Sequence, residues 1–273
     1  MIPQIVHYVW VGPKPLPADA KELIGEWKSL MPDWRFMLWS EENIDFRPLF
    51  IRQAHGVRSY NRVANYVRLA ALRDHGGFYM DHDIKLLKSL HQLCHLPGVL
   101  GFQTDKDEYD LVNSALIGAS PGHPFIRRAL DELETMDGSY DWRSRTGPGL
   151  LSRLLRDSDA IQPRDEPYIA SGMMLYPPRY FYPYAWDKKF TPECIEPDTI
   201  AIHLWEHTWK TQPGRVRRLM KSIRRALTRI SPTLRSSWVK RRDTAAKNAC
   251  RTNFGKIEQL ARIKLAFEPA RRG

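Results

Sequence analysis

The sequence has 273 residues, of which 42% are hydrophobic and 27% are charged, and its formal net charge is +11. This length and composition suit one large α/β domain, or a domain with a helical extension, and they exclude wholesale disorder. The N-terminus lacks the features of a signal peptide, and no run of 18 apolar residues predicts a membrane span.

Three cysteines, Cys94, Cys194 and Cys250, are far apart in the sequence. Their odd number and wide spacing predict neither a disulfide framework nor a zinc site. This pattern is compatible with a reducing cytoplasm, and we expect the protein to reside there.

The positive charge is concentrated at the C-terminus. Residues 210–273 contain 19 Lys and Arg against three Asp and Glu, a net charge of +16, whereas residues 1–209 carry a net charge of −5. Such a change in charge predicts a domain boundary. We therefore expect a domain over 1–209 and a basic extension over 210–273.

The first elements alternate between strand and helix. Residues 2–11 predict a buried strand, residues 18–30 have apolar side chains at helical spacing, and residues 34–39 predict a second strand. A strand, a helix and a strand in succession are typical of a parallel α/β sheet.

A second helix is predicted over residues 63–72, and Gly76 follows it as a left-handed cap. Residues 78–80 then predict a short buried strand that ends at Asp81, His82 and Asp83, and we expect residues 84–87 to continue that strand.

The remaining predicted elements of the first domain alternate in the same way. Further strands are predicted at 99–102, 114–118 and 201–203, and helices at 125–133 and 149–155. In the basic extension, residues 215–227 place apolar side chains on one helical face and arginines on the rest.

Asp81 and Asp83 offer paired carboxylates at the end of a buried strand, where α/β sheets collect their ligands. Mg²⁺ and Mn²⁺ prefer such oxygen ligands and complete their shell with phosphate and water. A solvated turn is the alternative on spacing alone. Arg68 could reach a phosphate or form a surface ion pair, and Trp10 could stack on a nucleobase or belong to the core.

A second cluster of ring side chains lies near the end of the first domain, over residues 201–209. Either His203 or His207 could complete a metal site there, and a purely structural role is the alternative for each.

Taken together, these motifs resemble glycosyltransferase family 32, the sugar transferases with a DxD motif. The resemblance covers residues 1–209. Its motifs, in order, are Ile2-Pro3-x-Ile5-x-His7-x-x-Trp10-x-Gly12, Trp27, Pro32, Trp39, Ala64 to Leu69, Gly76 to Asp83, Asn113 to Ala119, Gly122 to Phe125, Thr146-Gly147-Pro148, Tyr176-Pro177-Pro178 and Ala201-Ile202-His203.

The resemblance implies a GT-A fold, which is a Rossmann-like mixed sheet flanked by helices, here with a basic C-terminal helical extension. It also implies a retaining transfer from a nucleotide-sugar donor, for which we expect a UDP-hexose, with Mn²⁺ or Mg²⁺ as cofactor. The metal ligands would be Asp81, Asp83 and His203. The donor-binding residues would be Val9, Trp10, Asn65, Arg68, Tyr79, Asp81, Asn113 and Gly147.

Asn65 departs from the family pattern, which has an aspartate at this position. An amide keeps a hydrogen-bonding oxygen and adds a donor, but it loses the charge. The set expected to take part in catalysis is Asp81, Asp83, Arg68 and Asn65.

An arginine-rich helix with one apolar face is typical of a peptide that lies on an anionic membrane. We therefore expect residues 210–273 to attach the protein to the inner face of the cytoplasmic membrane, and we expect no nucleic-acid partner. The acceptor would be a lipid-linked saccharide of capsule or O-antigen synthesis.

Four alternatives stay open. The tail helix could pack on the domain. The protein could be a toxin-like protein glycosyltransferase, or a degenerate transferase that binds membrane or nucleic acid. A metal phosphohydrolase fits less well, because it would need more carboxylate or histidine ligands near the aspartate pair.

Overall fold

The computed structural model describes residues 1–106, 110–139 and 146–205, together with Ile223. The chain divides into two compact units, Met1–Lys221 and Ser222–Gly273. The predicted basic extension over 210–273, its helix over 215–227 and His207 therefore lie outside the described residues, apart from helical Ile223. The boundary at residue 209 stays a prediction.

The first three elements form the expected strand–helix–strand unit. They are β1 (Ile5–Val9), α1 (Ala18–Leu30) and β2 (Arg35–Trp39). Strands β1 and β2 are parallel and pair from Ile5 with Arg35 to Val9 with Trp39. Helix α1 buries Ala20, Leu23, Ile24 and Trp27, which recur every three or four residues along one face.

Two helices precede the next strand: α2 (Leu49–Gly56), which the sequence pattern did not predict, and α3 (Tyr60–His75). Helix α3 ends at Gly76, whose φ of 62° is left-handed. A Cβ there would lie 2.6 Å from Pro121, so glycine is required for both conformation and space. Strand β3 (Gly77–Met80) follows at once and pairs in parallel with β1.

The expected continuation of β3 past Asp83 is wrong. Residues Ile84–Leu86 form β4, which pairs antiparallel with β9 (Ala201–His203) in a separate two-stranded sheet. The turn at Asp81, where Ile84 N donates to Asp81 O at 3.1 Å, sends the chain out of the main sheet. This change of sheet is what brings residues 201–203 beside the aspartate pair.

The remaining elements are β5 (Gly98–Phe102), β6 (Val112–Ala119), α4 (Pro124–Glu134), α5 (Pro148–Ser158), β7 (Tyr168–Ala170), β8 (Met173–Tyr176) and α6 (Pro178–Phe181). Their strands complete a seven-stranded mixed sheet in the order β2-β1-β3-β6-β5-β8-β7. Strands β6 and β7 run opposite to the other five. This arrangement confirms the predicted α/β class, a GT-A type of mixed sheet flanked by helices.

The main apolar core lies between the sheet and the helices α2 to α5. Every residue of β6 is buried, as expected for the central strand of a sheet covered on both faces. Side chains of α3, α4 and α5 join this core. The central strands are therefore held rigidly, and so is the position of the residues at their ends.

Among the helices that the structure describes, none combines the length and the apolar character needed to cross a bilayer.

Candidate metal and donor site

Asp81, Asp83 and His203 converge at one end of the main sheet. Each offers one ligand atom, and these atoms lie within 4.8 Å of one another. Asp81 is held at the end of β3 by its amide, which donates to Ala115 O at 2.8 Å. His203 pairs with Ile84 across the β4–β9 ladder, so the ladder sets His203 directly beside Asp83.

The chemistry of this cluster suits a small divalent cation. Two carboxylates and one imidazole are ligands that Mn²⁺ accepts, and Mg²⁺ accepts the carboxylates readily. The side chains of Asp83 and His203 are only 5% and 10% exposed, whereas that of Asp81 is 28% exposed. The cluster is thus buried on the protein side and open on the side of Asp81, where phosphate and water would complete the shell.

Arg68 and Tyr79 both bind Asp81 on the protein side. The Tyr79 hydroxyl donates to Asp81 Oδ1 at 2.7 Å, and a guanidinium nitrogen of Arg68 donates to the same oxygen at 3.1 Å. The Arg68 guanidinium also lies 4.4 Å from the centre of the Tyr79 ring. Both hydrogen bonds use Asp81 Oδ1, and neither uses Asp81 Oδ2.

Burial and contact together set the pKa values of Tyr79 and Arg68. Burial raises the pKa of Tyr79 well above its ordinary value, so its hydroxyl keeps the proton that it donates to Asp81. Burial alone would lower the pKa of Arg68, but the charge of Asp81 reverses this effect and raises it. Arg68 is therefore a buried cation paired with Asp81, and the alternative of a surface ion pair is wrong.

Two aromatic residues support His203: Trp205, from the ring cluster over residues 201–209, and Tyr182, which the sequence pattern did not single out. The Trp205 ring centre lies 4.1 Å from the imidazole centre, and the Tyr182 ring centre lies 5.9 Å from it. The Tyr182 hydroxyl accepts a hydrogen bond from Leu116 N at 3.2 Å. The only signal for Tyr182 in the sequence was the aromatic run over residues 180–184, and no spacing connects that run with His203.

Trp10 and Val9 lie at the end of β1. Val9 is buried in the core, whereas Trp10 is partly exposed. The Trp10 indole nitrogen donates to Lys14 O at 2.6 Å, and its ring meets His82 edge-on at 5.2 Å. Because His82 stands between the two aspartates, Trp10 is adjacent to the cluster of Asp81, Asp83 and His203.

Asn65 lies one helical turn before Arg68 on α3 and contacts the loop that starts α5. Its amide nitrogen donates to Thr146 Oγ1 at 2.9 Å. A Cβ on Gly147 would lie 3.2 Å from the Asn65 amide, so Gly147 permits this approach. Asn65 and Gly147, both expected at the donor site, are thus direct neighbours.

Asn113 is buried at the start of β6. Its side chain donates to Gln103 Oε1 at 2.6 Å and accepts from Ala115 N at 2.7 Å. Ala115 O in turn holds Asp81 N. These contacts connect Asn113 to the cluster through the backbone of β6, and its expected contact with the donor stays a prediction.

Comparison with known sequences gives the same class of protein that the fold and the site indicate. Residues 17–98 match the family described as "Glycosyltransferase sugar-binding region containing DXD motif". Residues 118–227 match "Alpha 1,4-glycosyltransferase conserved region". The chain belongs to the DXD-motif glycosyltransferases of the family 32 type.

Two relatives illustrate the range of this family. The lactosylceramide 4-alpha-galactosyltransferase of Mus musculus is 30% identical over 148 residues, which are 50% of this chain and 39% of the relative. The inositol phosphoceramide mannosyltransferase 3 of Schizosaccharomyces pombe is 27% identical over 179 residues, 58% of this chain and 48% of the relative. The chain thus spans less than half the length of either relative.

Among solved structures, the glycosyltransferase named PaToxG is similar, with a TM-score of 0.49 and 18% identity. The match covers 57% of this chain and 69% of that one.

Proposed function

We propose that this protein transfers a hexose from a nucleotide-sugar donor to a saccharide acceptor, assisted by a divalent cation. The observation that carries the proposal is the convergence of Asp81, Asp83 and His203 within 4.8 Å in a chain of the DXD-motif family. A solvated turn would leave Asp83 in water, whereas its side chain is only 5% exposed.

Asp81, Asp83 and His203 would hold the cation. A bound Mn²⁺ or Mg²⁺ would neutralise the donor diphosphate and make it a better leaving group. Arg68 and Tyr79 would hold Asp81 in its orientation, because both donate to its Oδ1. Trp10 would present its ring to the nucleobase beside His82.

The transfer would retain the configuration of the sugar. The acceptor hydroxyl would attack the anomeric carbon on the face from which the diphosphate leaves, and a departing phosphate oxygen would accept its proton. The transition state would be oxocarbenium-like, as in other glycosyl transfers. This route is favoured because no lone carboxylate in the sequence stands out as the nucleophile that a covalent route would need.

The donor would be a UDP-hexose. The names of the two relatives specify galactosyl and mannosyl transfer, and both sugars are hexoses. The uridine nucleotide is the expectation from the family resemblance.

The acceptor would be a lipid-linked saccharide at a membrane, as in capsule or O-antigen synthesis. Both relatives are named for ceramide-linked acceptors. The +16 charge of residues 210–273 would attract an anionic bilayer from the cytoplasmic side. A chain ending at residue 209 that still sediments with anionic vesicles would contradict this attachment.

A thermal-shift panel of UDP-, GDP-, CMP- and dTDP-sugars with Mn²⁺ tests the proposal. A donor that stabilises the protein only with the metal, and is then hydrolysed slowly without acceptor, is the expected result. Stabilisation by no nucleotide sugar would favour a degenerate transferase. Transfer to a protein and to no saccharide would favour the toxin-like alternative.

A further inference from the structure

Trp186 is a tryptophan whose side chain is largely exposed to solvent. Its residue surface is 63% accessible, and the other exposed large hydrophobic residues in the described ranges are aliphatic. An isolated exposed aliphatic side chain is common and needs no explanation. An exposed indole leaves a large aromatic surface in contact with water, which suggests that it binds a ligand.

The segment that carries Trp186, residues 182–190, contacts His203 and the residue that packs on it. Trp205 donates from its indole nitrogen to Tyr184 O at 3.0 Å, while the Trp205 ring packs on the His203 imidazole at 4.1 Å. Tyr182, at the start of the segment, also packs against His203. Tyr182 and Trp205 therefore connect the segment with His203.

The segment has an ordered tip. Lys188 N donates to Ala185 O at 3.0 Å and closes a turn around Trp186. Below the turn, the rings of Tyr184 and Phe190 meet edge to face at 5.7 Å. Trp186 follows Tyr184 by two residues, which span about 7 Å at most. Its Cα is thus close to the carbonyl that Trp205 holds.

We propose that Trp186 is the surface on which a pyranose ring of the saccharide acceptor stacks. The inference rests on the proposed transfer to a saccharide. The C–H bonds on one face of a pyranose carry partial positive charge and suit the negative face of an indole. An ordered turn whose base contacts Trp205 and His203 would hold the acceptor towards the donor side at little entropic cost.

The surroundings favour a saccharide over a lipid bilayer as the occupant. Insertion into a bilayer needs a cluster of exposed apolar side chains. Within residues 182–190, Trp186 is the only large hydrophobic side chain that is exposed. The three residues that follow Trp186 are charged, and the first two of them, Asp187 and Lys188, pair at 3.6 Å. A single indole among charged side chains fits a hydrated sugar better.

The test compares the full-length wild-type protein with Trp186→Ala and Trp186→Phe. The acceptors are methyl β-lactoside, methyl β-galactoside, methyl β-glucoside and methyl α-mannoside, with the nucleotide sugar selected by thermal shift as donor. Saturation-transfer NMR measures binding of each glycoside independently of turnover. Leu49→Ala, which truncates an exposed side chain on α2, is the control.

We expect Trp186→Ala to raise the acceptor KM about 5- to 10-fold and to weaken the NMR signal, with donor KM and donor hydrolysis unchanged. Trp186→Phe should recover part of the loss, and Leu49→Ala should behave as wild type.

Unchanged acceptor KM in Trp186→Ala would overturn the inference, as would wild-type donor hydrolysis without transfer to any glycoside. Loss of sedimentation with phosphatidylglycerol vesicles at unchanged acceptor KM would assign Trp186 to the membrane instead. A wild-type protein that neither binds nor hydrolyses any nucleotide sugar would overturn the proposed function itself, and the inference with it.

Discussion

Asp83 and His203 face each other across the two-stranded sheet, with Asp83 Oδ2 and His203 Nε2 3.2 Å apart. They are distant in sequence, and the pairing of Ile84 with His203 places them together. The ladder continues past the pair, since Leu204 N donates to Asp83 O at 3.0 Å. Backbone pairing therefore positions both side chains before any ligand arrives, which is the preorganisation that a metal site needs.

Asp83→Asn tests this pair as metal ligands. The amide keeps the size of the side chain and removes the charge, so we expect Mn²⁺ affinity in the presence of UDP to fall at least about 100-fold, since even supporting groups around a metal contribute 10- to 100-fold. His203→Gln should weaken binding in the same assay. Titration calorimetry with Mn²⁺ measures both.

The matched control is Asp33→Asn, which changes an exposed carboxylate in the turn before β2. It should leave Mn²⁺ affinity and transfer unchanged. An Asp83→Asn protein with normal turnover in EDTA-treated buffer would rule out the metal site.

Much of the donor side of the site follows from local sequence patterns. Helix α3 and its glycine cap, the buried strand β3 and the aspartates after it are encoded by residues close together in the chain. Local periodicity and a left-handed glycine are enough to place them. The association of Arg68 with this site was predictable for the same reason, because α3 leads directly into β3.

The long-range contacts could not be derived in this way. Residues 84–86 look like a continuation of β3, and only the tertiary fold shows that they pair with 201–203. The partner of Arg68 was also missed, since helical spacing does not show that its guanidinium turns inward to Asp81. Helix α2 escaped prediction because eight residues with one short apolar face give a weak periodic signal.

Tyr79→Phe tests whether the Tyr79 hydroxyl orients Asp81 for donor binding or only stabilises the fold. The change removes the 2.7 Å hydrogen bond to Asp81 and keeps the ring under the Arg68 guanidinium. A hydrogen bond to a charged group contributes about 1.5 to 3 kcal/mol, so we expect the donor KM to rise about tenfold or more. Steady-state kinetics at saturating Mn²⁺ provide the measurement.

Tyr168→Phe is the corresponding control, because it removes a hydroxyl that bonds Gln162 O at 2.7 Å on the exposed side of the domain. Its donor KM should equal that of wild type. If both variants change the thermal midpoint equally and neither changes the donor KM, Tyr79 has only a structural role.

Asn65→Asp should change which donor is preferred. The substitution restores the charge that the family has here, beside Thr146 and Gly147. An aspartate can only accept hydrogen bonds, so the present donation to Thr146 would reverse and the Thr146 hydroxyl would donate instead. The rank order of nucleotide sugars in the thermal-shift panel should therefore differ from wild type.

Asn61→Asp makes the same chemical change four residues earlier, at an exposed position of α3. It should leave the rank order unchanged. An identical donor ranking for wild type and both variants would remove Asn65 from donor recognition.

His7 should make the stability of the domain sensitive to acid. Trp39 donates to its Nδ1 at 3.1 Å, and its Nε2 donates to Gly76 O at 2.8 Å, so both nitrogens are used in the neutral form. Burial lowers the pKa of His7 to about 4 and is the largest effect. The hydrogen bond to Gly76 O opposes it, and the charges of His75 and Arg35 lower the pKa slightly further. A second proton on His7 would sit on Nδ1, where it would face the Trp39 N–H group and break that hydrogen bond.

The pKa of His7 in the unfolded chain is about 6.5. Its neutral form therefore stabilises the fold fully above that pH, and this stability declines as the pH falls from 6.5 towards 4, by up to about 3 kcal/mol. His7→Gln, which can accept from Trp39 and donate to Gly76, should show a shallower loss in urea unfolding between pH 7 and pH 4. The exposed His91→Gln should keep the wild-type slope, and equal slopes for all three proteins would show that His7 does not titrate on unfolding.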